Sequence, residues 1–276
     1  MPYFETSDHT SLYYRDWGTG TPVVFLSSWG YSGPMWEYQM VPLSERGLRC
    51  IAYDRRGHGR SDDPGRGYDF DTLADDLATF LEQLDLHEVT LISHSVAGGE
   101  IVRYLSRHGT SRIARIVLIS ATLPFMLQTA DNPEGVPGDR IYAHVESLRT
   151  DRPHYLSTGA ISFFSLGSNW PGPEVISPEM LQWSIQMLLE CSPKAAIAFR
   201  EVSIETDFRA DLRNCSIPTL IVHGDKDTSA PLNLCGRRIA QAIAGSQLKI
   251  YEGAAHGLFL THKDRLNSDL LDFIRS

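Results

Sequence analysis

The sequence predicts an α/β fold: a doubly wound, mostly parallel sheet carrying one helical insertion. Short apolar runs bounded by turn residues recur along the chain, amphipathic helical stretches separate most of them, and one long central stretch has no strand pattern. Continuous apolar strands belong in a sheet covered on both faces, and their alternation with helices implies parallel pairing through right-handed crossovers.

Residues 12–17, Leu-Tyr-Tyr-Arg-Asp-Trp, alternate and read as an antiparallel edge. Residues 23–26 and 50–53 are apolar enough to be buried strands. Between 71 and 84, Leu73, Leu77, Phe80, Leu81 and Leu84 recur at helical spacing behind Asp71, a candidate cap. A strand at 89–92, a helix at 98–108 and a strand at 116–119 follow. Beyond the insertion come a strand at 219–222, a helix at 237–244, a strand at 248–251 and a closing helix at 266–274.

A chain of 276 residues suits one large core with an insertion. The expected division is a core domain of residues 1–122 and 211–276, interrupted by residues 123–210. Pro124, Pro133, Pro137, Pro153, Pro171, Pro173 and Pro178 cut that stretch into short pieces, with helical patterns near 140–149 and 178–189. A structureless loop of that length does not suit a compact domain, so the insertion is read as a helical lid over the sheet.

A formal charge of −9 leaves no net basic field for a phosphate backbone, which disfavours nucleic acid as a partner. No window approaches the ~20 apolar residues that span a bilayer, and the first residues lack a basic flank before an apolar run; no membrane association is expected, and the cytoplasm is the default compartment. Cys50, Cys191, Cys215 and Cys235 are far apart with no CxxC spacing, so free buried thiols are expected in place of disulfides or zinc, and no metal site is expected. Composition is compatible with either a monomer or a homo-oligomer.

Reactive groups in open parallel sheets gather at the carboxyl ends of the strands. Three such ends carry suitable residues. Ser93-His94-Ser95-Val96-Ala97-Gly98-Gly99 lies between a strand and a helix, the context of a nucleophile elbow, although Ser93 and Ala97 stand where the usual pattern has glycine. Serine needs a base that changes protonation near neutrality, and His256, in Gly253-Ala254-Ala255-His256-Gly257 after the last strand, is best placed. His94 adjoins Ser95 in the turn and points the wrong way; His58 and the histidines at 9, 87, 108, 144, 154 and 262 are read as solvated. The carboxylate that orients the base comes from His223-Gly224-Asp225-Lys226-Asp227, where Asp227 is favoured and Asp225 is the alternative. The order Ser, Asp, His is the α/β-hydrolase order.

The chain resembles the cofactor-free, non-haem chloroperoxidase and aryl-esterase branch of the α/β-hydrolases. The likeness runs nearly end to end, through Asp54-Arg55-Arg56-Gly57-His58-Gly59-Arg60-Ser61, then residues 68–77, and the spacing from Asp227 to His256. The resemblance implies an oxyanion hole made by the backbone N–H groups of Trp29 and Val96. Members of that branch commonly carry His-Gly-Trp where this chain has Ser27-Ser28-Trp29. Because the donors are backbone groups, that change leaves them in place while altering the surrounding shape.

The expected function is serine-dependent hydrolysis of a small carboxylic ester, or of a lactone or small amide, through an acyl-enzyme and without a cofactor. The resemblance also implies perhydrolysis as a side activity. Tyr31, Phe125, Met126, Phe163, Phe164, Trp170, Trp183 and Met187 are candidate pocket residues, taken as a group. The contrasting expectation is a ligand-binding member of the fold that has lost its chemistry.

Overall fold

A computed structural model describes residues 2–167 and 176–276. The strands are β1 (Tyr3–Glu5), β2 (Ser11–Trp17), β3 (Thr21–Leu26), β4 (Leu48–Tyr53), β5 (Val89–His94), β6 (Ile113–Ile119), β7 (Thr219–Gly224) and β8 (Gln247–Tyr251). They form one eight-stranded sheet in the order β1-β2-β4-β3-β5-β6-β7-β8. The pairs β1/β2 and β2/β4 are antiparallel, and every pair from β4/β3 to β7/β8 is parallel.

The helices are α1 (Glu37–Ser44), α2 (Phe70–Gln83), α3 (Ala97–His108), α4 (Gly138–Phe163, kinked at Asp151), α5 (Pro178–Glu190), α6 (Pro193–Glu205), α7 (Arg209–Leu212), α8 (Gly236–Ala242), α9 (Leu258–Thr261) and α10 (Lys263–Arg275). One face of the sheet is covered by α2, α3 and α8, with the Phe80 ring 4.8 Å from Phe4 and 5.1 Å from Tyr53. The other face is covered by α1, α9 and α10, with Trp36 between Phe25 at 5.3 Å and Phe259 at 6.2 Å. Burial on both sides explains the apolar runs of the central strands β3 to β7, whereas β8, expected as a buried strand, lies at the sheet edge and is only half-buried.

Two local expectations are corrected. The strand at 11–17 is antiparallel but is not the edge, because the three-residue β1 pairs outside it; a strand that short leaves no periodicity to read. Asp71 does not cap its helix. The Asp69 carboxylate accepts the Thr72 N–H at 2.9 Å from an extended backbone, and the helix starts at Phe70, whose ring packs on Phe199 and Phe208. Asp71 sits in the first turn and pairs with Arg103 at 2.5 Å.

Between β6 and β7 the described residues fold into α4, α5, α6 and α7. Ser177 and Ser192 cap α5 and α6 through the N–H groups of Met180 and Ala195, with a proline first in each helix. Helix α4 packs on α5 and α6, and α6 touches the core where the Trp29 indole donates to the Ala196 carbonyl at 2.8 Å.

Candidate active site

Ser95 stands between β5 and α3 with φ +58°, a left-handed conformation that costs a residue with a side chain about 1–3 kcal/mol. The turn is held by bonds from the Ser95 N–H to the Ile119 carbonyl at 2.9 Å and from the Gly98 N–H to the Ser95 carbonyl at 3.1 Å. Ser93 and Ala97 are fully buried. The close approach falls on the next two residues: a Cβ on Gly98 would lie 3.0 Å from Ala121, and one on Gly99 would lie 2.6 Å from both Phe70 and Phe208. Small residues suit the buried positions 93 and 97, a Cβ at 98 would press on Ala121, and one at 99 would force the Phe70 or Phe208 ring to shift.

Loops from three strand ends converge on this turn. The Ser95 hydroxyl is 2.9 Å from His256 Nε2, and His256 Nδ1 is 2.7 Å from Asp227 Oδ2. With the proton on Nδ1 the imidazole donates to Asp227 and accepts from Ser95, which is the tautomer a general base requires. The other Asp227 oxygen accepts the N–H groups of Ser229 at 2.9 Å and Ala230 at 2.8 Å. Burial pushes the Asp227 carboxyl up, but the charge and hydrogen bond of His256, with help from His223 and the Ala230 N–H, offset this and leave it below its ordinary value. Asp225 is exposed and accepts the Gly253 N–H at 2.7 Å, so it braces the histidine loop from outside.

Two histidines set aside in the sequence have structural positions there. His94 donates from Nε2 to the His256 carbonyl at 2.8 Å, and its ring lies 4.8 Å from that of His256. The reading of His58 as solvated is corrected: it is buried, and its Nδ1 is 3.0 Å from the Arg56 carbonyl. Burial lowers both to about 3, aided in His94 by His256 and in His58 by Arg55. Each is thus neutral when folded but takes up a proton when unfolded below pH about 6.5. Their contribution to stability is complete above that pH and is lost as pH falls toward 3. The expected loss is up to about 1.4 kcal/mol per pH unit for each group, read from urea midpoints between pH 7 and pH 4. His58→Gln should make that slope shallower; an unchanged slope would remove His58 from the account.

The turn after β4 frames the loop that holds Trp29. Arg55 donates to the carbonyls of Ser27 and Ser28 and pairs with buried Glu100 of α3 at 2.6 Å. Asp54 accepts the N–H groups of Gly33 at 2.6 Å and Arg60 at 2.9 Å, while Arg56 pairs with Asp76 of α2 at 2.7 Å. Gly59, at φ +53°, leaves no room for a Cβ beside the Asp54 carboxylate. Trp29 and Val96 both line the cavity above Ser95.

That cavity, of about 350 Å³, is lined by Ser95, His256, Trp29, Val96 and, among the predicted pocket residues, Tyr31, Met126, Phe163 and Phe164. Phe163 packs edge-on to His256 at 5.1 Å, and the Gly257 N–H donates to its carbonyl at 2.7 Å, joining the end of α4 to the histidine loop. Phe125, Trp183 and Met187 lie elsewhere. Phe125 is under the Arg209 guanidinium, Trp183 packs on Tyr38 at 6.3 Å, and Met187 is buried in the core. Trp170 lies outside the described residues. Leu156, Ile204 and Arg200 also line the cavity and carried no sequence signal, since one residue of a helix does not reveal which face it occupies. A separate surface groove between α1 and α10 contains none of Ser95, Asp227 and His256. Among the described residues no three His, Cys, Asp or Glu side chains converge as metal ligands would, and no helix is long and apolar enough to cross a membrane.

A parallel sheet that brings a strained serine, a buried histidine and a buried aspartate together at its strand ends defines a hydrolase of the α/β type. A model of the alpha/beta hydrolase fold family matches residues 21–263, and the chain belongs to that family. It is 42% identical to the non-heme chloroperoxidase CPO-A1 of Kitasatospora aureofaciens over 99% of both chains. It is 35% identical to the bifunctional esterase/perhydrolase of Acinetobacter calcoaceticus over the whole of both. An esterase from Exiguobacterium antarcticum superposes with a TM-score of 0.94 at 32% identity, covering 100% of this chain and 99% of that one.

Proposed function

We propose that the chain hydrolyses carboxylic esters, with lactones as close alternatives, through an acyl-enzyme on Ser95. The observation that carries this reading is the continuous hydrogen-bonded line from the Ser95 hydroxyl through His256 to Asp227, opening into an apolar cavity. The Ser95 oxygen attacks the ester carbonyl while its proton passes to His256 Nε2. The tetrahedral oxyanion is held by the N–H groups of Trp29 and Val96, and Asp227 stabilises the imidazolium. His256 then protonates the leaving alkoxide, and the alcohol departs. Water repeats the sequence on the acyl-enzyme, releasing the acid and restoring Ser95. Hydrogen peroxide in place of that water would yield a peracid, a side activity suggested by the esterase/perhydrolase relative.

Helices α4 to α6 serve in this reading as a lid that supplies the acyl wall. Hydrolysis of short p-nitrophenyl esters, and its abolition by a phosphonate that labels Ser95, test the proposal. Failure to turn over any ester or lactone, with Ser95 unlabelled, would favour a binding protein on a hydrolase fold. On the same ester panel Leu156→Ala should shift relative kcat/KM between short and branched acyl chains by about 10-fold or more. An unchanged ranking would place the acyl wall outside the lid.

A further inference from the structure

The charge of the cavity is uneven in a way that its catalytic chemistry does not use. Arg200, on the inner face of α6, lines it together with Ser95 and His256, and among the described lining residues there is no aspartate or glutamate. This is unusual company in a chain of net charge −9.

Nothing in the described structure neutralises that guanidinium. Its Cζ lies 4.6 Å over the Trp29 ring, Nη2 reaches the Tyr155 hydroxyl at a long 3.4 Å, and Nε is buried without an acceptor. The neighbouring acids of α6 are engaged elsewhere: Glu201 pairs with Arg149 at 2.7 Å, and Glu205 accepts from the Tyr142 hydroxyl at 2.9 Å. Arginine ordinarily meets a carboxylate in a planar, two-pronged contact, and a partly desolvated guanidinium without one has unspent donor capacity. Its platform is fixed. The Trp29 indole donates to Ala196, one turn before Arg200 on the same helix, so the guanidinium is held above the residue whose backbone N–H holds the oxyanion in the proposed mechanism.

We propose that Arg200 is a specificity-determining residue forming an anion subsite, and that the preferred substrates are esters or lactones that themselves carry a carboxylate. This rests on the hydrolase reading and narrows its substrate class. The alternative role, a cation stacked on Trp29 merely to hold it, acts on every substrate alike.

The test compares p-nitrophenyl hemiesters of succinate, glutarate and adipate with neutral p-nitrophenyl esters of matched chain length. A charge-assisted contact predicts that the anionic-to-neutral ratio of kcat/KM falls by about 10- to 100-fold in Arg200→Gln, with Arg200→Lys retaining part of the preference. An equal loss on both series, leaving the ratio as in the unmodified protein, would overturn the subsite. Should Arg200→Gln fail to fold, inhibition of the unmodified protein decides: glutarate must compete at least about 10-fold more strongly than neutral glutaramide, and equal inhibition refutes the proposal. If neither ester series nor any lactone is turned over and the phosphonate leaves Ser95 unlabelled, the hydrolase reading fails by itself. Calorimetric titration of glutarate against glutaramide then judges the subsite, preferential binding of glutarate supporting it and equal binding or none overturning it.

Discussion

Ser95→Ala and His256→Ala should each lower kcat by about 10⁴-fold or more on any ester the chain accepts, and the double variant should be scarcely worse than either single one. The reason is geometric. A serine hydroxyl is a weak nucleophile until a base removes its proton, and in the proposed mechanism the 2.9 Å contact with His256 Nε2 is the route by which that proton leaves. Removing either partner removes the same step, so the losses do not add. The Ser95→Ala variant keeps the β-carbon and the left-handed backbone of the turn, so thermal unfolding should move by no more than a few degrees, about what a loss of ≤1 kcal/mol produces. Residual catalysis from the amides of Trp29 and Val96 would survive in both variants. Turnover within 10-fold of the unmodified protein, in either one, would show that another group does the chemistry.

The parts of this site that were legible in the sequence are those in which residue type, strand end and chain order coincide. Ser95 and Asp227 each follow a buried apolar run, His256 follows the half-buried edge strand β8, and the fold brings those strand ends together whatever the intervening loops do. The strands were legible for the same reason: burial on both faces imposes an apolar run that needs no knowledge of neighbours. The cavity wall was legible only in part: Tyr31, Met126, Phe163 and Phe164 line it, whereas Phe125, Trp183 and Met187 lie elsewhere. Phe163 reaches His256 while Trp183 turns toward Tyr38, and both are aromatic residues on helices whose orientation depends on packing. Arg200 looks like an ordinary solvated charge until α6 is seen to face Trp29. His58 looks solvated in its glycine-rich turn until that turn is buried beneath α6, where a Cβ on Gly57 would meet Ala195. Asp54, Arg55 and Arg56 resembled a family signature without a stated role; their bonds to Gly33, Ser28 and Asp76 show them bracing the loop of Trp29 against α2 and α3.

Asp227→Asn should be nearly as damaging as loss of the base, lowering kcat by about 10⁴-fold, whereas Asp225→Asn should cost less than about 10-fold. Both are turn aspartates after β7, so the contrast isolates position from residue type. In the native arrangement the Asp227 carboxylate accepts the Nδ1 proton of His256 at 2.7 Å and leaves Nε2 free to receive the serine proton. An asparagine can still accept the N–H groups of Ser229 and Ala230 through its oxygen, which turns its amide nitrogen toward the imidazole. That nitrogen donates, so Nδ1 must accept and the proton moves to Nε2, facing Ser95 where no proton can then be taken up. The site keeps its shape and loses its base. Asp225 has no such constraint: its 2.7 Å bond is to the Gly253 N–H, it is exposed, and an asparagine oxygen replaces it with little penalty. Measured on one good ester substrate, with a proton NMR record of the His256 tautomer in each variant, the ranking Asp227 far above Asp225 is required. If Asp225→Asn were the more damaging of the two, the histidine would have to turn toward the outer aspartate during catalysis, and the triad drawn from these distances would be wrong.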